Sequence, residues 1–231
     1  MRSILIIASV YTLSCAQKGS AQLANDTPVN DDTAASGDCA DALISFDFES
    51  DEQGFTSWET DEGFEDPWQW GNPQTQTCHS GDHCWTTGLG GWYDDCVAGA
   101  LVSQTLDLTA CADSDLTLSF WHFYRFEDQS SYTWWDGGKV QVSADAGETW
   151  QDVNPSEPYT GAIMGNFSEC EIYSEFYGEE GWSGIGYGWN EVTATIDASV
   201  LTDSFQVRFW FVSDRSVTDE GWFIDDVAIV Q

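Results

Sequence analysis

Alternation of hydrophobic and polar residues marks three segments of the chain as β-strands. Residues 116–125, 139–143 and 205–212 each place a hydrophobic or aromatic side chain at every second position. This period of two, in segments rich in β-branched and aromatic residues, is typical of strands with one buried face. No window shows the apolar spacing of a helix of three turns. The pattern predicts an all-β fold, a jelly-roll-like antiparallel β-sandwich.

The remaining segments carry weaker patterns. Residues 154–190 are rich in glycine and aromatic residues and show little alternation, so we expect a long loop excursion or short irregular strands there. Residues 16–38 are small and polar with no apolar period, which predicts a flexible, disordered tether. The folded domain is therefore expected to occupy residues 39–231.

The first fifteen residues are typical of a secretory signal. Arg2 precedes an apolar run from Ile4 to Val10, and small residues follow it. The run is too short to span a bilayer. Leu-Ser-Cys at 13–15 resembles a bacterial lipobox, which implies lipidation at Cys15; the alternative is a signal cut after Ala16. We expect an exported protein, at the cell surface or outer membrane as a lipoprotein, or secreted. Its contact with a membrane is expected only through the lipid anchor.

The balance of charge narrows the choice of partners. The chain has 6 Lys+Arg against 40 Asp+Glu and a formal net charge of -34. Nucleic acids and anionic membrane surfaces carry the same sign of charge, so neither is expected as a partner. Metal cations and neutral ligands suit this chain better. Its 13 tryptophans also separate it from solvated acidic tails, which are poor in aromatic residues.

The cysteines predict disulfides. Of the seven, Cys15 lies in the signal segment, and an even number of six remains for pairing in an oxidising compartment. Cys78 and Cys84 are close enough in sequence to close one small loop. The two histidines between them are too few for a zinc site, so the disulfide is favoured. The remaining four cysteines cannot be paired from sequence: Cys39, Cys96, Cys111 and Cys170.

Several blocks of sequence resemble one family. They include Phe46–Glu49, Cys84–Leu89, Ser143–Trp150 and the closing Gly221–Val227. Together they resemble the MAM-like jelly-roll domains found with secreted bacterial metallopeptidases of the immune-inhibitor-A type and in other cell-surface proteins, over about residues 44–231. The resemblance implies a non-catalytic accessory sandwich that binds or stabilises, often with structural calcium. The sequence contains no H-E-x-x-H motif, so the zinc chemistry of the peptidases is not implied. Ser143–Trp150 also matches an Asp-box, and we interpret it as a structural hairpin.

Carboxylates near the two ends of the domain suggest where calcium would bind. Asp47 and Glu49 alternate with phenylalanines in the expected first strand, and Asp225 and Asp226 lie in the expected last strand. These two strands commonly pair in jelly rolls, which would bring the acids together. Calcium takes 6–8 oxygen ligands, and a loop acid such as Asp94 would complete its shell. The alternative is a set of surface acids in a very acidic protein.

Aromatic residues in the expected loops suggest a glycan site. They lie beside glycine and aspartate, and sugar rings stack on such faces while acids and amides bind hydroxyls. The alternative for each is packing in the core. The candidate ligand-binding residues are Trp134, Trp135, Trp182, Tyr187 and Trp189.

These observations favour an exported, non-catalytic binding or adhesion module for a cell-surface glycan or protein. A glycan-cleaving sandwich enzyme is the first alternative, and it requires two carboxylates about 5–10 Å apart in an open cleft. A purely structural surface component is the second. The sequence lacks the nucleophile elbow of the α/β-hydrolases and a phosphate-binding loop.

Overall fold

The computed structural model describes residues 38–60, 65–127, 133–165, 170 and 175–231. The signal segment 1–15, with Cys15, and the tether as far as residue 37 lie outside this range, so those assignments stay predictions. In the described part of the chain no helix is long and apolar enough to cross a membrane.

The described residues form thirteen strands and one helix of a single turn. The helix is α1 (Cys39–Ala42), and 3-10 turns cover Thr109–Cys111 and Ala198–Val200. The strands are β1 (Ile44–Phe46), β2 (Thr56–Glu59), β3 (Gln69–Gly71), β4 (Cys84–Thr86), β5 (Ala98–Val102), β6 (Leu116–Arg125), β7 (Gly137–Ser143), β8 (Gln151–Asp152), β9 (Gly161–Ala162), β10 (Glu180–Gly181), β11 (Asn190–Ile196), β12 (Gln206–Val212) and β13 (Gly221–Val230).

Two main antiparallel sheets face each other. The first has the order β11-β6-β13-β4-β3, with β1 also pairing with β13, and the second has the order β2-β5-β12-β7-β8. A two-stranded sheet, β9-β10, is formed within the segment expected to hold irregular strands. This arrangement confirms the prediction of an all-β, jelly-roll-like antiparallel sandwich.

The core between the sheets is built largely from aromatic rings. Phe120 of the first sheet meets Phe209 of the second edge to face, with ring centroids 5.0 Å apart. Trp182 and Trp222 are fully buried beside them, with centroids 5.8 Å apart. The prediction that Trp182 binds a ligand is therefore wrong, because its ring presents no face to solvent. His122, also fully buried, has a lowered pKa because burial disfavours its charged form.

The predicted pairing of the first and last strands is present, but the first strand is shorter than expected. Phe46 of β1 lies opposite Val227 of β13. The strand ends at Phe46, and Phe48 adopts a left-handed φ of 56°. The interpretation of Asp47 and Glu49 as neighbours on one strand face is wrong, because both lie in the turn that follows β1.

Three disulfides join the six cysteines of the domain. Cys78–Cys84 is present as predicted. The other two bonds are Cys39–Cys111 and Cys96–Cys170, which join residues 72 and 74 positions apart. The Asp-box segment forms the turn between β7 and β8, as expected for a structural hairpin. There Asp145 Oδ1 accepts hydrogen bonds from the Thr149 amide at 2.8 Å and from the Ser143 hydroxyl at 2.7 Å.

Candidate functional site

A cleft of about 420 Å³ opens where the loop after β4 meets the segment that leads into β3. Trp92 contributes the exposed aromatic ring of this cleft, which we call the Trp92 cleft. Its polar lining comprises Glu65, Asp66, Gln69, Thr87 and Asp94.

The loop over residues 87–93 is fixed at its start by contacts with the beginning of β13. The Thr87 amide donates to the Trp222 carbonyl at 3.0 Å, and the Trp222 amide donates to Thr87 Oγ1 at 3.0 Å. A side chain at Gly88 would collide with the backbone oxygens of Glu220 and Gly91. Glycine is required at this position because only it allows the two segments to approach so closely.

At the other end of the loop, Tyr93 provides a buried anchor. Its amide donates to the Asp219 carbonyl at 3.2 Å, and its hydroxyl donates to Asp136 Oδ2 at 2.7 Å. Its ring packs edge to face on Phe211, with centroids 5.2 Å apart. Anchoring Tyr93 inward leaves the adjacent Trp92 side chain 63% exposed.

Among the described residues, the carboxylates of the Trp92 cleft have no basic ion-pair partner. Asp66 Oδ1 accepts a hydrogen bond from the Trp68 amide at 3.1 Å, and this bond holds the Asp66 side chain in place at the cleft. Within the described residues, no lysine or arginine forms an ion pair with Glu65, Asp66 or Asp94. The cleft therefore combines an exposed indole with uncompensated negative charge.

A group of three acids, of which Asp136 and Asp214 are buried, lies behind the loop. Carboxylate oxygens of Glu127, Asp136 and Asp214 lie within 4.8 Å of one another. Burial raises the pKa of Asp136 well above its usual range. Burial first, and then the charges of Asp214 and Asp95, raise the pKa of Glu127 to about 7. Glu127 and Asp136 therefore hold protons more strongly than exposed acids do.

The last-strand acids predicted to bind calcium lie together. Asp225 is fully buried and accepts from the Ser80 amide at 3.0 Å. Asp226 accepts from the Ser80 hydroxyl at 3.1 Å, and His79 Nδ1 lies 2.7 Å from its Oδ2. Burial, reinforced by the charge of Asp226, raises the pKa of Asp225 to about 7.

The other three predicted calcium ligands lie apart from this pair. Glu49 accepts hydrogen bonds from the amides of Asp82 and His83, at 2.9 and 3.1 Å, and so contacts the same disulfide loop. Asp47 accepts from Gln53 Nε2 at 2.8 Å. The assignment of Asp94 to this set is wrong, because Asp94 lines the Trp92 cleft, beyond the opposite end of β4.

The aromatic residues predicted to bind a ligand do not line the cleft. Trp134 and Trp135 are half-buried, and Trp134 packs against the outer face of the second sheet. Trp189 is half-buried and donates from Nε1 to the Thr77 carbonyl at 3.0 Å. Tyr187 is 95% exposed in a glycine-rich loop. The sequence analysis missed Trp92, although the run Gly90-Gly91-Trp92 has the same signal of a tryptophan beside glycines.

Fold and cleft together define an antiparallel β-sandwich with an acidic, aromatic cleft at its edge. No family model matches the sequence. The chain is 26% identical to Bacillopeptidase F of Bacillus subtilis over 170 residues, which cover 72% of this chain and 9% of that protein. The chain thus spans a small part of that relative, and the MAM-like resemblance stays a prediction.

Similarity to solved structures is low. The K3 cleaved adhesin domain of Lys-gingipain from Porphyromonas gingivalis is 17% identical, with 81% of this chain and 96% of that one covered and a TM-score of 0.40. The CBM22-2 xylan-binding domain of Paenibacillus barcinonensis Xyn10C is 12% identical, with 81% and 98% covered and a TM-score of 0.37. Similarity at this level does not identify a ligand for this chain.

Proposed function

We propose that this protein is an exported, non-catalytic carbohydrate-binding module whose ligand lies against Trp92. The observation that carries the proposal is the exposed indole of Trp92 inside a cleft lined by carboxylates, an amide and a hydroxyl. The apolar face of a sugar ring stacks on such an indole, while side chains like Gln69 and Thr87 bind its hydroxyl groups. The volume falls within the range of about 300–1,000 Å³ that small-ligand sites have.

Binding without cleavage is supported by where the perturbed acids lie. A glycosidase needs a carboxylic acid with a raised pKa beside the bond that it cleaves. In the part of the chain that the structure describes, burial raises the pKa of Glu127, Asp136 and Asp225, and none of these three lines the Trp92 cleft. Asp136 and Asp225 are also buried away from solvent.

Export is supported by the three disulfides, since such bonds persist in oxidising compartments. The proposal retains the lipid anchor at Cys15, which would hold the module at the cell surface. A glycan of that surface, or of a neighbouring one, is the partner that the cleft fits best.

The proposal includes a structural calcium ion at Asp225 and Asp226. Two adjacent carboxylates, with the Ser80 hydroxyl beside them, are donors of the hard oxygen type that calcium takes. A bound ion would supply positive charge next to Asp225, whose ionised form is disfavoured by burial. Asp225 and Asp226 would hold the ion, and their existing bonds to Ser80 would connect it to the disulfide loop.

The function is tested by screening a glycan array with the purified domain and measuring each hit by calorimetry. Trp92→Ala is expected to abolish binding, because it removes the stacking surface. Tyr187→Ala is the matched control, since it removes a ring that is also exposed but lies outside the cleft. If Tyr187→Ala loses glycan binding and Trp92→Ala retains it, the binding site lies in the loop of residues 184–188 and not in the Trp92 cleft. Absence of glycan binding by the unaltered domain, with and without calcium, would overturn the proposal.

A further inference from the structure

The charge of the Trp92 cleft restricts the glycans that it can hold. Three carboxylates line it, from Glu65, Asp66 and Asp94. The described basic side chains lie elsewhere: Arg125 pairs with Asp219 and Glu220, and Lys139 pairs with Asp152 and Glu179. Arg208 and Arg215 are likewise absent from the lining. Sugars that carry carboxylates or sulfates would meet repulsion from the cleft and from a chain with a net charge of -34.

We propose that the ligand is a glycan of 2-amino-2-deoxy sugars whose amines are free and protonated. This inference rests on the proposed function and names the class of sugar for the same cleft. With a pyranose ring stacked on Trp92, the ammonium group at C2 would lie at the edge of the ring, in the cleft that Glu65, Asp66 and Asp94 line. An ammonium carries three donors and no acceptor, which suits a wall of carboxylate oxygens.

Three effects favour the ammonium sugar over its neutral counterparts. Hydrogen bonds between ammonium and carboxylate are roughly twice as strong as neutral ones. A neutral ligand would also displace water from Asp66 and Asp94 without supplying a countercharge, and desolvating an unpaired carboxylate is costly. A cation close to an indole face is attracted to it as well.

The test uses three hexasaccharides that share a β-1,4 backbone and differ only at C2. Glucosamine hexamer carries an ammonium group, N-acetylglucosamine hexamer an acetamide and cellohexaose a hydroxyl. Calorimetry at low salt is expected to show that the glucosamine hexamer binds at least about tenfold more tightly than the other two. The advantage should shrink in about 1 M salt, where the Debye length falls to about 3 Å.

Variants separate charge from stacking. Asp66→Asn and Asp94→Asn are expected to weaken binding of glucosamine hexamer and to tighten binding of cellohexaose, because a neutral amide costs less to desolvate than a carboxylate; the preference for glucosamine hexamer should therefore fall. The asparagine in Asp66→Asn keeps a side-chain oxygen that can accept the hydrogen bond from the Trp68 amide, so the local structure of the cleft should be unchanged. Glu148→Gln removes an exposed acid outside the cleft and is the control. Trp92→Ala is expected to abolish binding of all three hexasaccharides.

Each outcome has a distinct meaning. Equal affinity for the three hexamers, all lost in Trp92→Ala, would overturn the amino-sugar inference and leave the proposed function standing. A glucosamine preference that survives both aspartate variants would overturn it too. Equal competition by hexalysine would identify a site for cations in general and would also reject the inference. If no hexamer binds, the inference fails, and the array screen decides separately whether any glycan is a ligand.

Discussion

The hydroxyl of Tyr93 donates a 2.7 Å hydrogen bond to Oδ2 of the buried Asp136. The same hydroxyl accepts from the Glu127 amide at 2.9 Å, so it joins three segments of the chain. Because Trp92 is the residue before Tyr93, this buried bond fixes the base of the loop from which the exposed indole projects.

Tyr93→Phe should destabilise the domain and weaken glycan binding together. The substitution removes the hydroxyl that Asp136 Oδ2 and the Glu127 amide both bind, at a cost of about 1–3 kcal/mol, while Asp136 Oδ1 keeps its hydrogen bond from the Asp214 amide. Denaturant unfolding and calorimetry would measure the two effects. Tyr187→Phe, at an exposed ring, should change stability by less than about 0.5 kcal/mol. Unaltered unfolding of Tyr93→Phe would show that the bond does not anchor the loop.

Stability of the calcium-free domain should fall as pH rises from about 4.5 to about 7, in part because of Glu127. The pKa of Glu127 is raised from 4.5 to about 7 in the folded state, so the folded state binds more protons than the unfolded state in this window. Unfolding therefore becomes easier as pH increases. Asp136 contributes with the same sign, because burial raises its pKa.

Glu127→Gln should flatten that dependence. Melting temperatures measured with chelator between about pH 5 and pH 8 would show it, with Glu148→Gln as the matched exposed control. A melting temperature that rises across this range in the unaltered domain, or an identical slope in Glu127→Gln, would contradict the prediction.

Chelation should lower the melting temperature, and calcium should restore it better than magnesium, which demands a tighter octahedral shell. An ion that binds only the folded state stabilises it by about 2.7 kcal/mol at a hundredfold excess over Kd. Asp226→Asn should remove most of this response, whereas Asp94→Asn should retain it because Asp94 lies in the Trp92 cleft. Equal melting in chelator and in millimolar calcium would count against the site.

The disulfides should differ in what they contribute to stability. In the chain-entropy account, Cys39–Cys111 closes a long loop and is worth about 4 kcal/mol, whereas Cys78–Cys84 closes a short one and is worth about 2 kcal/mol. Paired alanine substitutions and denaturant unfolding would measure both. The unreduced, denatured domain should also contain no reactive thiol. The opposite order of stabilities would show that local contacts of the short loop outweigh the entropy term.

Features with a local sequence signal were predictable. The alternation in residues 116–125 and 205–212 predicted two strands, and these residues form β6 and β12. The prediction works because successive side chains of a strand point to opposite faces of the sheet. The pairing of Cys78 with Cys84 followed from their short separation. Neither of the two long-range disulfides could be derived, since their geometry depends on how the sheets pack.

The candidate site depended on contacts that sequence does not display. Trp92 and Trp182 both lie beside glycines, yet one is exposed and the other fully buried. Trp92 lies in the loop whose end is held by the bond between Tyr93 and Asp136, which are 43 positions apart, whereas Trp182 packs on Phe120 and Trp222 in the core. Likewise, the sequence did not show that β1 ends at Phe46 or that Phe48 adopts a left-handed conformation, and both place Asp47 and Glu49 outside the strand.

The Cys39–Cys111 bond determines how mechanical tension would pass through the domain. A pull applied at Asp38 and Gln231 crosses this bond and enters β6 directly, bypassing residues 40–110. Force then separates β6 from β13, beginning at the pair Thr117 and Val230, so the ladder opens one rung at a time. The Trp92 cleft lies within the bypassed residues 40–110, so tension applied at these two points does not run along the backbone that forms the cleft.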